Sequence, residues 1–201
     1  MAQKLILPIN KCKLTASYKN AAYKTKYGYT HYGIDMVSTA GSTKIYASGN
    51  GTIVNMGWDD NAGNVIVIRY DDAYDKASGT YKDVVFRYYH LDSIHANRYI
   101  GETINKDKVL GYYGGSGMGQ QNYWSAHLHI EADTDTAYPC YSPTFSGSTQ
   151  IIKGASAGAN DSTMSSALNW LYVKNTSPDY QTYTTAGDAY INSGDTSLAT
   201  Y

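Results

Sequence analysis

Apolar and polar residues alternate over much of the chain between residues 44 and 132, and this pattern predicts a series of β-strands. Residues 63–70 are a continuous β-branched run that is typical of a well-buried strand. Residues 71–81 are polar and predict a long hairpin loop. We therefore expect a mainly β protein with an antiparallel core and few short helices. The predicted strands are residues 44–58, interrupted by a Ser-Gly-Asn-Gly turn, and residues 63–70, 82–91, 108–117 and 126–132.

The pattern changes after about residue 150, where Ser, Thr, Ala and Gly dominate. Residues 161–173 predict a short helix with Asp161 or Ser162 as its N-cap. We expect the remainder to be loop or short strand, either packed on the core or mobile. The chain is accordingly divided into a main domain at 1–150 and a C-terminal extension at 151–201.

Composition and charge restrict the class of protein. The 201 residues include 22 Tyr and only 2 Phe, and tyrosine suits a half-buried sheet with its ring packed and its hydroxyl in water. The formal net charge of −1 argues against a nucleic-acid partner, and we interpret the Lys- and Tyr-containing residues 19–33 as a solvated loop. Cys12 and Cys140 form either one disulfide or two separate thiols.

Hydropathy also limits the membrane and targeting segments. No apolar run approaches the roughly 20 residues that a membrane-spanning helix needs. The apolar stretch within residues 1–14 is too short for a signal peptide. We expect no membrane span, and no signal peptide is visible in this chain.

The His-Leu-His-Ile-Glu stretch is the most specific chemical motif. Because side chains alternate along a strand, His127, His129 and Glu131 share one face, while Leu128 and Ile130 point into the core. Two imidazoles on one face of a strand favour a metal site, and the alternative is a hydrogen-bonded surface pair.

A second motif is His31-x-Gly33-x-Asp35. The spacing of four fits one face of a helix, but Gly33 and the β-branched neighbours disfavour a helix. In a straight strand the two Cα atoms would lie roughly 13 Å apart, which one ion barely bridges. A bend or bulge at Gly33 would shorten that distance, so we expect a loop that runs into a strand there.

The two motifs are stronger together than apart. One Asp and two His leave a fourth coordination position open, the pattern of a catalytic zinc, and these ligand types favour zinc over calcium or magnesium. A hydrolase then needs a proton acceptor and an oxyanion donor. His90 ends a predicted strand and suits such a role near neutral pH, as does the histidine of the His-x-His pair that does not bind metal. We expect His95 to be an exposed loop residue.

The order of these motifs resembles the lysostaphin/LytM-type zinc endopeptidases. The resemblance covers residues 31–132, from the His-x-x-x-Asp motif through the GNVIVI, YYHL and GGSG stretches to His-x-His. It implies a two-sheet antiparallel β core whose groove carries one Zn²⁺ held by His31, Asp35 and His129. It also implies that His127 and His90 flank the attacking water and the substrate carbonyl.

The resemblance further implies the roles of these residues and the substrate. We assign His127 as the general base, with His90 orienting the water or stabilising the oxyanion, although the two roles are exchangeable. Family members also place a tyrosine near the scissile carbonyl, and the candidates are Tyr23, Tyr27 and Tyr29. Tyr123 and Trp124, in a loop that is longer than is usual in the family, are expected to wall the groove.

The predicted function is hydrolysis of peptide bonds in bacterial peptidoglycan, outside the cell or at the cell wall, by a secreted or phage-delivered enzyme. One alternative is a catalytically silent domain that binds cell wall or regulates another hydrolase. A second is a zinc D-Ala carboxypeptidase, in which Glu131 would be the base.

Overall fold

A computed structural model of the chain describes residues 1–145, 147–148, 150–155, 161–187, 190–191, 196 and 198–201. The α-helix is α1 (Ala21–Tyr27), and Ala167–Asn169 form one 3-10 turn. Within the described residues the strands are β1 (Leu5–Ile6), β2 (Lys11–Ala16), β3 (Gly33–Ser38), β4 (Lys44–Tyr46), β5 (Gly51–Asp59), β6 (Gly63–Asp75), β7 (Thr80–Ile94), β8 (Thr103–Ile104), β9 (Val109–Tyr113), β10 (Leu128–Asp133), β11 (Met164–Ser165), β12 (Leu171–Tyr172) and β13 (Thr182–Thr185).

Most strands belong to one sheet. Its main path runs β13-β2-β3-β10-β7-β6-β5-β8, and β4, β9 and β11 join it through β7 and β10. The neighbours from β2 to β8 pair antiparallel, whereas β13 pairs parallel with β2. A separate two-stranded parallel sheet joins β1 to β12. The prediction of a mainly β fold with an antiparallel core is confirmed, and the two parallel pairs, one at the edge of the main sheet and one in the separate sheet, are an addition.

The predicted hairpin loop at 71–81 is wrong. β6 and β7 continue through most of it, with Tyr74 opposite Tyr81 and Asp75 opposite Thr80. Asp75 stabilises the tight turn that remains, because its carboxylate accepts hydrogen bonds from the Ala77 backbone and the Ser78 hydroxyl. Because these hydrogen bonds close a short turn, the polar residues on either side of it can remain in β6 and β7.

Alternation along the central strands separates two faces. Ile66 and Ile68 of β6 belong to the main core, while Val65 and Val67 lie in a smaller cluster on the other face. On β10, Leu128 and Ile130 also belong to the main core. Their alternating neighbours His129 and Glu131 therefore face the side of the smaller cluster.

The C-terminal residues pack on the same core. Trp170 is fully buried in the main cluster beside Leu168 and Leu171. The predicted helix at 161–173 is reduced to the 3-10 turn, which is capped by the Ser166 side chain instead of Asp161 or Ser162. The strands on either side of this turn limit its length, so pairing overrides local helix preference here.

Residues 19–33 are not a simple solvated loop, because they contain α1. The Asn20 side chain accepts a hydrogen bond from the Tyr23 backbone, and Gly28 ends the helix with a positive φ of 82°. Both caps are visible in the sequence. None of the helices in the described part of the chain has the length and apolar character to cross a bilayer. Cys12 and Cys140 are separate free thiols.

Candidate active site

Strand pairing brings together the two motifs that were predicted to bind metal. Asp35 of β3 lies directly opposite His129 of β10 in the antiparallel register. His31 precedes β3 by two residues. Residues almost a hundred positions apart in sequence thus meet because β3 and β10 are neighbours in the sheet.

Three side-chain atoms converge at one point. His31 Nε2 lies 3.1 Å from Asp35 Oδ1 and 3.1 Å from His129 Nδ1. The third edge, from His129 Nδ1 to Asp35 Oδ1, measures 2.8 Å. All three residues are buried, with exposed fractions of 1% for His31, 6% for Asp35 and 3% for His129.

This donor set fits zinc. Ligand atoms of a tetrahedral zinc lie roughly 3.3 Å apart when each is about 2.0–2.1 Å from the ion. The observed separations of 2.8–3.1 Å are a few tenths of an ångström shorter, so a small outward movement accommodates an ion. The three donor atoms lie within 4.8 Å of one another, and a carboxylate oxygen with two imidazole nitrogens is a ligand set that zinc accepts.

A backbone carbonyl determines which nitrogen of His31 faces the centre. The Nδ1–H of His31 donates to the Ser17 carbonyl at 2.9 Å, which leaves the Nε2 lone pair directed at the point of convergence. His129 is oriented the other way, with Nδ1 at the centre and Nε2 3.7 Å from Glu131 Oε1.

Gly33 provides space instead of a bend. The pairing of β3 with β10 runs without a shift from Gly33 to Met36, so the expected bulge is not present over these four pairs. A Cβ at Gly33 would lie 2.3 Å from His129 Nε2 and 2.7 Å from the Ile130 carbonyl oxygen. Glycine is therefore required because the His129 ring lies against this backbone.

His90 is directed to the site by an irregularity in β7. It has a φ of +62°, a conformation that costs energy for residues other than glycine and often marks functional positions. The register between β6 and β7 shifts at this point, between the pairs Asn64–Leu91 and Ile66–Tyr88. The His90 Nδ1–H donates to the Ser116 carbonyl at 2.8 Å, so its Nε2 carries the free lone pair.

His127 lies just before β10, at the end of the loop that follows Gly117. Its Nδ1–H donates to the Ser125 carbonyl at 2.6 Å, and its Nε2 is 3.7 Å from Asp35 Oδ1. The His127 ring centroid is 4.9 Å from that of His90. Both predicted catalytic histidines therefore flank the three converging atoms.

The electrostatics of the centre follow from burial and close charges. Burial raises the pKa of Asp35, but His31, His127 and the hydrogen bond from His129 outweigh it and hold that pKa well below its usual range. Burial, aided by the neighbouring His127 and His129, lowers the pKa of His90 well below its usual value. Asp35 is thus an anion and His90 a neutral acceptor at neutral pH.

An aromatic cleft of about 330 Å³ opens beside the centre. Asp35 and His127 form part of its floor, and residues from several separate segments line its walls. Tyr23 stacks on His31 with ring centroids 4.3 Å apart. The aromatic lining residues are Tyr23, Tyr27, Trp124 and Tyr190.

The remaining groove candidates occupy different positions. Tyr29 lines a smaller cavity directly over the histidines, and its hydroxyl is 3.3 Å from that of Tyr23. Tyr123 lines neither cavity; it is exposed and packs edge-on against Trp124. His95 lies beyond the end of β7, half-buried instead of exposed, and lines neither cavity.

Several contributors were not foreseen. The carbonyls of Ser17, Ser116 and Ser125 fix three histidine tautomers, yet a backbone acceptor leaves no signal in the sequence. Tyr190 comes from the C-terminal part of the chain, where no motif indicated a role. Its carbonyl accepts the Ser17 backbone N–H at 2.9 Å, which connects it to the segment that orients His31.

Solved structures with the same fold include a zinc-containing peptidase from Vibrio cholerae, with a TM-score of 0.50, 20% identity and coverage of 65% of this chain. The chain spans only 37% of that protein's length. A chain of the SpoIIQ–SpoIIIAH pore-forming complex has a TM-score of 0.50 and 18% identity, covering 67% of this chain and 86% of that one. The catalytic domain of lysostaphin from Staphylococcus simulans has a TM-score of 0.42 and 23% identity, and the match covers 69% of this chain and 77% of that domain. At these identities the likeness concerns the fold alone.

The sequence match is more specific. No curated protein sequence matches the chain. The family model described as peptidase family M23 matches residues 29–139, which is more than half of the chain and includes both metal-binding motifs. The chain therefore belongs to peptidase family M23, as its resemblance to the lysostaphin/LytM type predicted.

Proposed function

We propose that this protein is a zinc endopeptidase that hydrolyses peptide bonds in bacterial peptidoglycan. The observation that carries the proposal is the convergence of His31 Nε2, Asp35 Oδ1 and His129 Nδ1 beside an aromatic cleft that Asp35 lines. These three residues would hold one Zn²⁺. Bound zinc supplies Lewis acidity and lowers the pKa of water.

The histidine tautomers suggest how the remaining steps are divided. His127 Nε2 has a free lone pair next to Asp35 and would take the proton from the attacking water. His90 is neutral, and its Nδ1 proton is committed to Ser116, so its Nε2 can only accept. This favours a role for His90 in orienting the water over the alternative of donating to an oxyanion.

A tyrosine hydroxyl is the better oxyanion donor. The hydroxyls of Tyr23 and Tyr29 share one hydrogen bond, which uses one of their two protons and leaves the other to donate. Tyr23 contacts His31 and lines both cavities, so its position suits a substrate carbonyl near the metal. We assign this role to the Tyr23–Tyr29 pair.

The cleft suits an extended peptide. Its walls carry Tyr27, Trp124 and Tyr190, which offer flat apolar surfaces with polar edges, and such rings bind peptide backbone without large entropic cost. The peptidoglycan substrate is inferred from the family. It implies action outside the cell or at the cell wall, by a secreted or phage-delivered protein.

We also propose that residues 151–201 belong to the same folding unit as residues 1–150. Trp170 lies in the main core, and Tyr190 forms part of the cleft wall. The C-terminal extension would then contribute to substrate binding without being a separate binding domain.

Two alternatives make different demands on the site. A carboxypeptidase that uses Glu131 as base needs that carboxylate to be accessible, but it is fully buried and accepts hydrogen bonds from Arg87 and Tyr89. A silent binding domain would be expected to lack a ligand or a catalytic histidine, and here all five residues converge.

The experiment is digestion of purified peptidoglycan by zinc-loaded protein, followed by measurement of released amines and identification of the products. Wild type should open cross-links, His127→Ala should lose at least about 100-fold in rate, and His95→Ala should retain full activity. Release of single D-Ala would support the carboxypeptidase. Zinc binding without any hydrolysis would support the silent domain.

A further inference from the structure

A buried ion network lies beneath the metal centre. Arg87 Nη1 is 3.2 Å from Glu131 Oε2, and Arg87 Nη2 is 2.6 Å from Asp133 Oδ2. The side chains of all three residues are at most 1% exposed. Removing three charges from water is costly, and buried ion pairs of this kind often add little net stability. The network therefore requires a reason other than stability.

Glu131 is the member nearest to the metal centre. Its Oε1 lies 3.7 Å from His129 Nε2, and Asp133 is one pleat further along β10. Four donors surround the Glu131 carboxylate: Arg87 Nη1, the Tyr89 hydroxyl, the Ser142 hydroxyl and the Thr144 hydroxyl. These contacts hold the carboxylate in one place and leave it facing the imidazole.

The orientation of the His129 ring depends on a side chain, whereas the other site histidines are oriented by the backbone. Backbone carbonyls fix the rings of His31, His90 and His127 through their Nδ1 atoms. His129 instead presents Nδ1 to the centre, so in its neutral form Nε2 must carry the proton. Glu131 is the acceptor group that faces this nitrogen, at 3.7 Å, which is an ion-pair distance and longer than a direct hydrogen bond.

On its outer side the ring of His129 is packed by flat contacts, while the edges of His31 and His90 meet it near the centre. Tyr89 stacks on it with centroids 5.1 Å apart and an interplanar angle of 5°, and the opposite strand offers the bare backbone of Gly33. Stacking fixes the plane of a ring but not which nitrogen points in a given direction. The same Tyr89 donates its hydroxyl to Glu131 at 2.7 Å, so it joins the carboxylate to the ring.

We propose that Glu131, held by Arg87 and Tyr89, is a positioning residue that keeps His129 Nδ1 directed at the metal and thereby sets the metal affinity of the site. The proposal rests on the proposed function, because it assumes that His129 is a metal ligand. A carboxylate that accepts from the outer nitrogen of a ligating imidazole fixes its tautomer and makes it a better ligand, typically worth 10–100-fold in affinity. This explains why a costly buried charge lies two residues after His129.

The test compares Glu131→Gln with Asp133→Asn in metal-stripped protein. Both substitutions remove one carboxylate charge from the buried Arg87, but only Glu131 faces His129. We expect Glu131→Gln to weaken zinc binding by about 10–100-fold in a competition with a chromogenic chelator. Asp133→Asn should change it less than about threefold, while both variants lose comparable thermal stability without metal.

Tyr89→Phe provides a milder variant, since it keeps the ring stack and removes only the hydroxyl that orients Glu131. It should weaken zinc binding by about threefold to tenfold and alter the visible spectrum of the cobalt-substituted protein. Equal losses of zinc affinity in Glu131→Gln and Asp133→Asn, or none in Glu131→Gln, would overturn the positioning role. Failure of the proposed function is distinguishable, because wild type itself would then bind no zinc, or would bind zinc without hydrolysing peptidoglycan, whichever way the zinc affinities of the variants compare.

Discussion

His31 and His129 present opposite ring nitrogens to the same point, with Nε2 of His31 3.1 Å from Nδ1 of His129. The difference arises from what lies behind each ring. A backbone carbonyl at Ser17 takes the outer proton of His31, whereas the carboxylate of Glu131 faces the outer nitrogen of His129. Each ring is thus held from outside so that a fixed nitrogen faces the centre.

Gly33→Ala should abolish metal binding while leaving most of the fold intact. The new Cβ would lie 2.3 Å from His129 Nε2 and 2.7 Å from the Ile130 carbonyl, and neither the ring nor the strand can move freely. We expect a loss of zinc affinity of at least about 100-fold and a destabilisation of about 1–3 kcal/mol. Zinc competition and thermal unfolding measure the two effects.

Gly187→Ala is the matched control, because a Cβ there meets no heavy atom within 4 Å and its φ is not in the left-handed region. It should bind zinc as wild type does. Normal zinc affinity in Gly33→Ala would contradict the ring position described for His129.

Zinc affinity should increase with pH up to about 9. In the metal-free protein, burial lowers the pKa of His129, but the carboxylates of Asp35 and Glu131 outweigh burial and raise it to about 9. The ring is then protonated at neutral pH, and zinc must displace that proton. The apparent affinity should rise by roughly tenfold per pH unit below pH 9, as one released proton requires.

The stability of the metal-free protein should fall as the pH rises, whereas the zinc affinity increases. A pKa raised in the folded state stabilises the fold fully below the ordinary value of 6.5, and this contribution is lost as the pH rises through about 9.

Calorimetric titration of the protein with zinc, in buffers of different ionisation enthalpy, counts the protons that zinc binding releases. A zinc affinity that is constant between pH 7 and pH 9 would be inconsistent with a protonated His129.

Substitutions of His90 should distinguish the strain in its backbone from the role of its imidazole in hydrolysis. His90 has a φ of +62°, which asparagine tolerates better than alanine. His90→Asn and His90→Ala should both reduce hydrolysis by about 100-fold or more, because neither can orient the water as an imidazole does. His90→Ala should be the less stable of the two, by about 1 kcal/mol in the free energy of unfolding. Equal stability would indicate that the backbone irregularity is not strained.

Tyr190→Ala should weaken substrate binding without affecting the metal. Tyr190 lines the cleft and packs against Tyr23 with centroids 5.7 Å apart, and it is not one of the three residues whose ligand atoms converge. We expect KM to rise by about threefold to tenfold with unchanged zinc content. Tyr180→Ala, an exposed position of the same C-terminal region, is the control and should behave as wild type. An unchanged KM would remove Tyr190 from the binding surface.

The sequence predicted what depends on local alternation and motif order. The buried run at 63–70 and the apolar face of β10 follow directly from the alternation of side chains. The hairpin loop at 71–81 was predicted too long, because contacts of Asp75 allow a short turn, and composition does not reveal such contacts. The helix α1 was missed although Asn20 and Gly28 cap it visibly.

What the sequence could not predict depends on long-range packing. Gly33 was expected to bend the chain, yet its function is to leave room for a ring that comes from β10. The carbonyls that orient His31, His90 and His127 belong to ordinary serines. Tyr190 reaches the cleft only because the C-terminal residues fold back onto the core.

The most direct test of the central claim is the zinc content of purified protein after exchange into metal-free buffer. The claim that His31, Asp35 and His129 together hold one ion predicts about one zinc per chain in wild type and in His95→Ala. It predicts nearly none in His31→Ala, whose remaining two ligands are too few for a stable site. A wild-type protein without zinc, or a His31→Ala variant that retains it fully, would contradict the assignment.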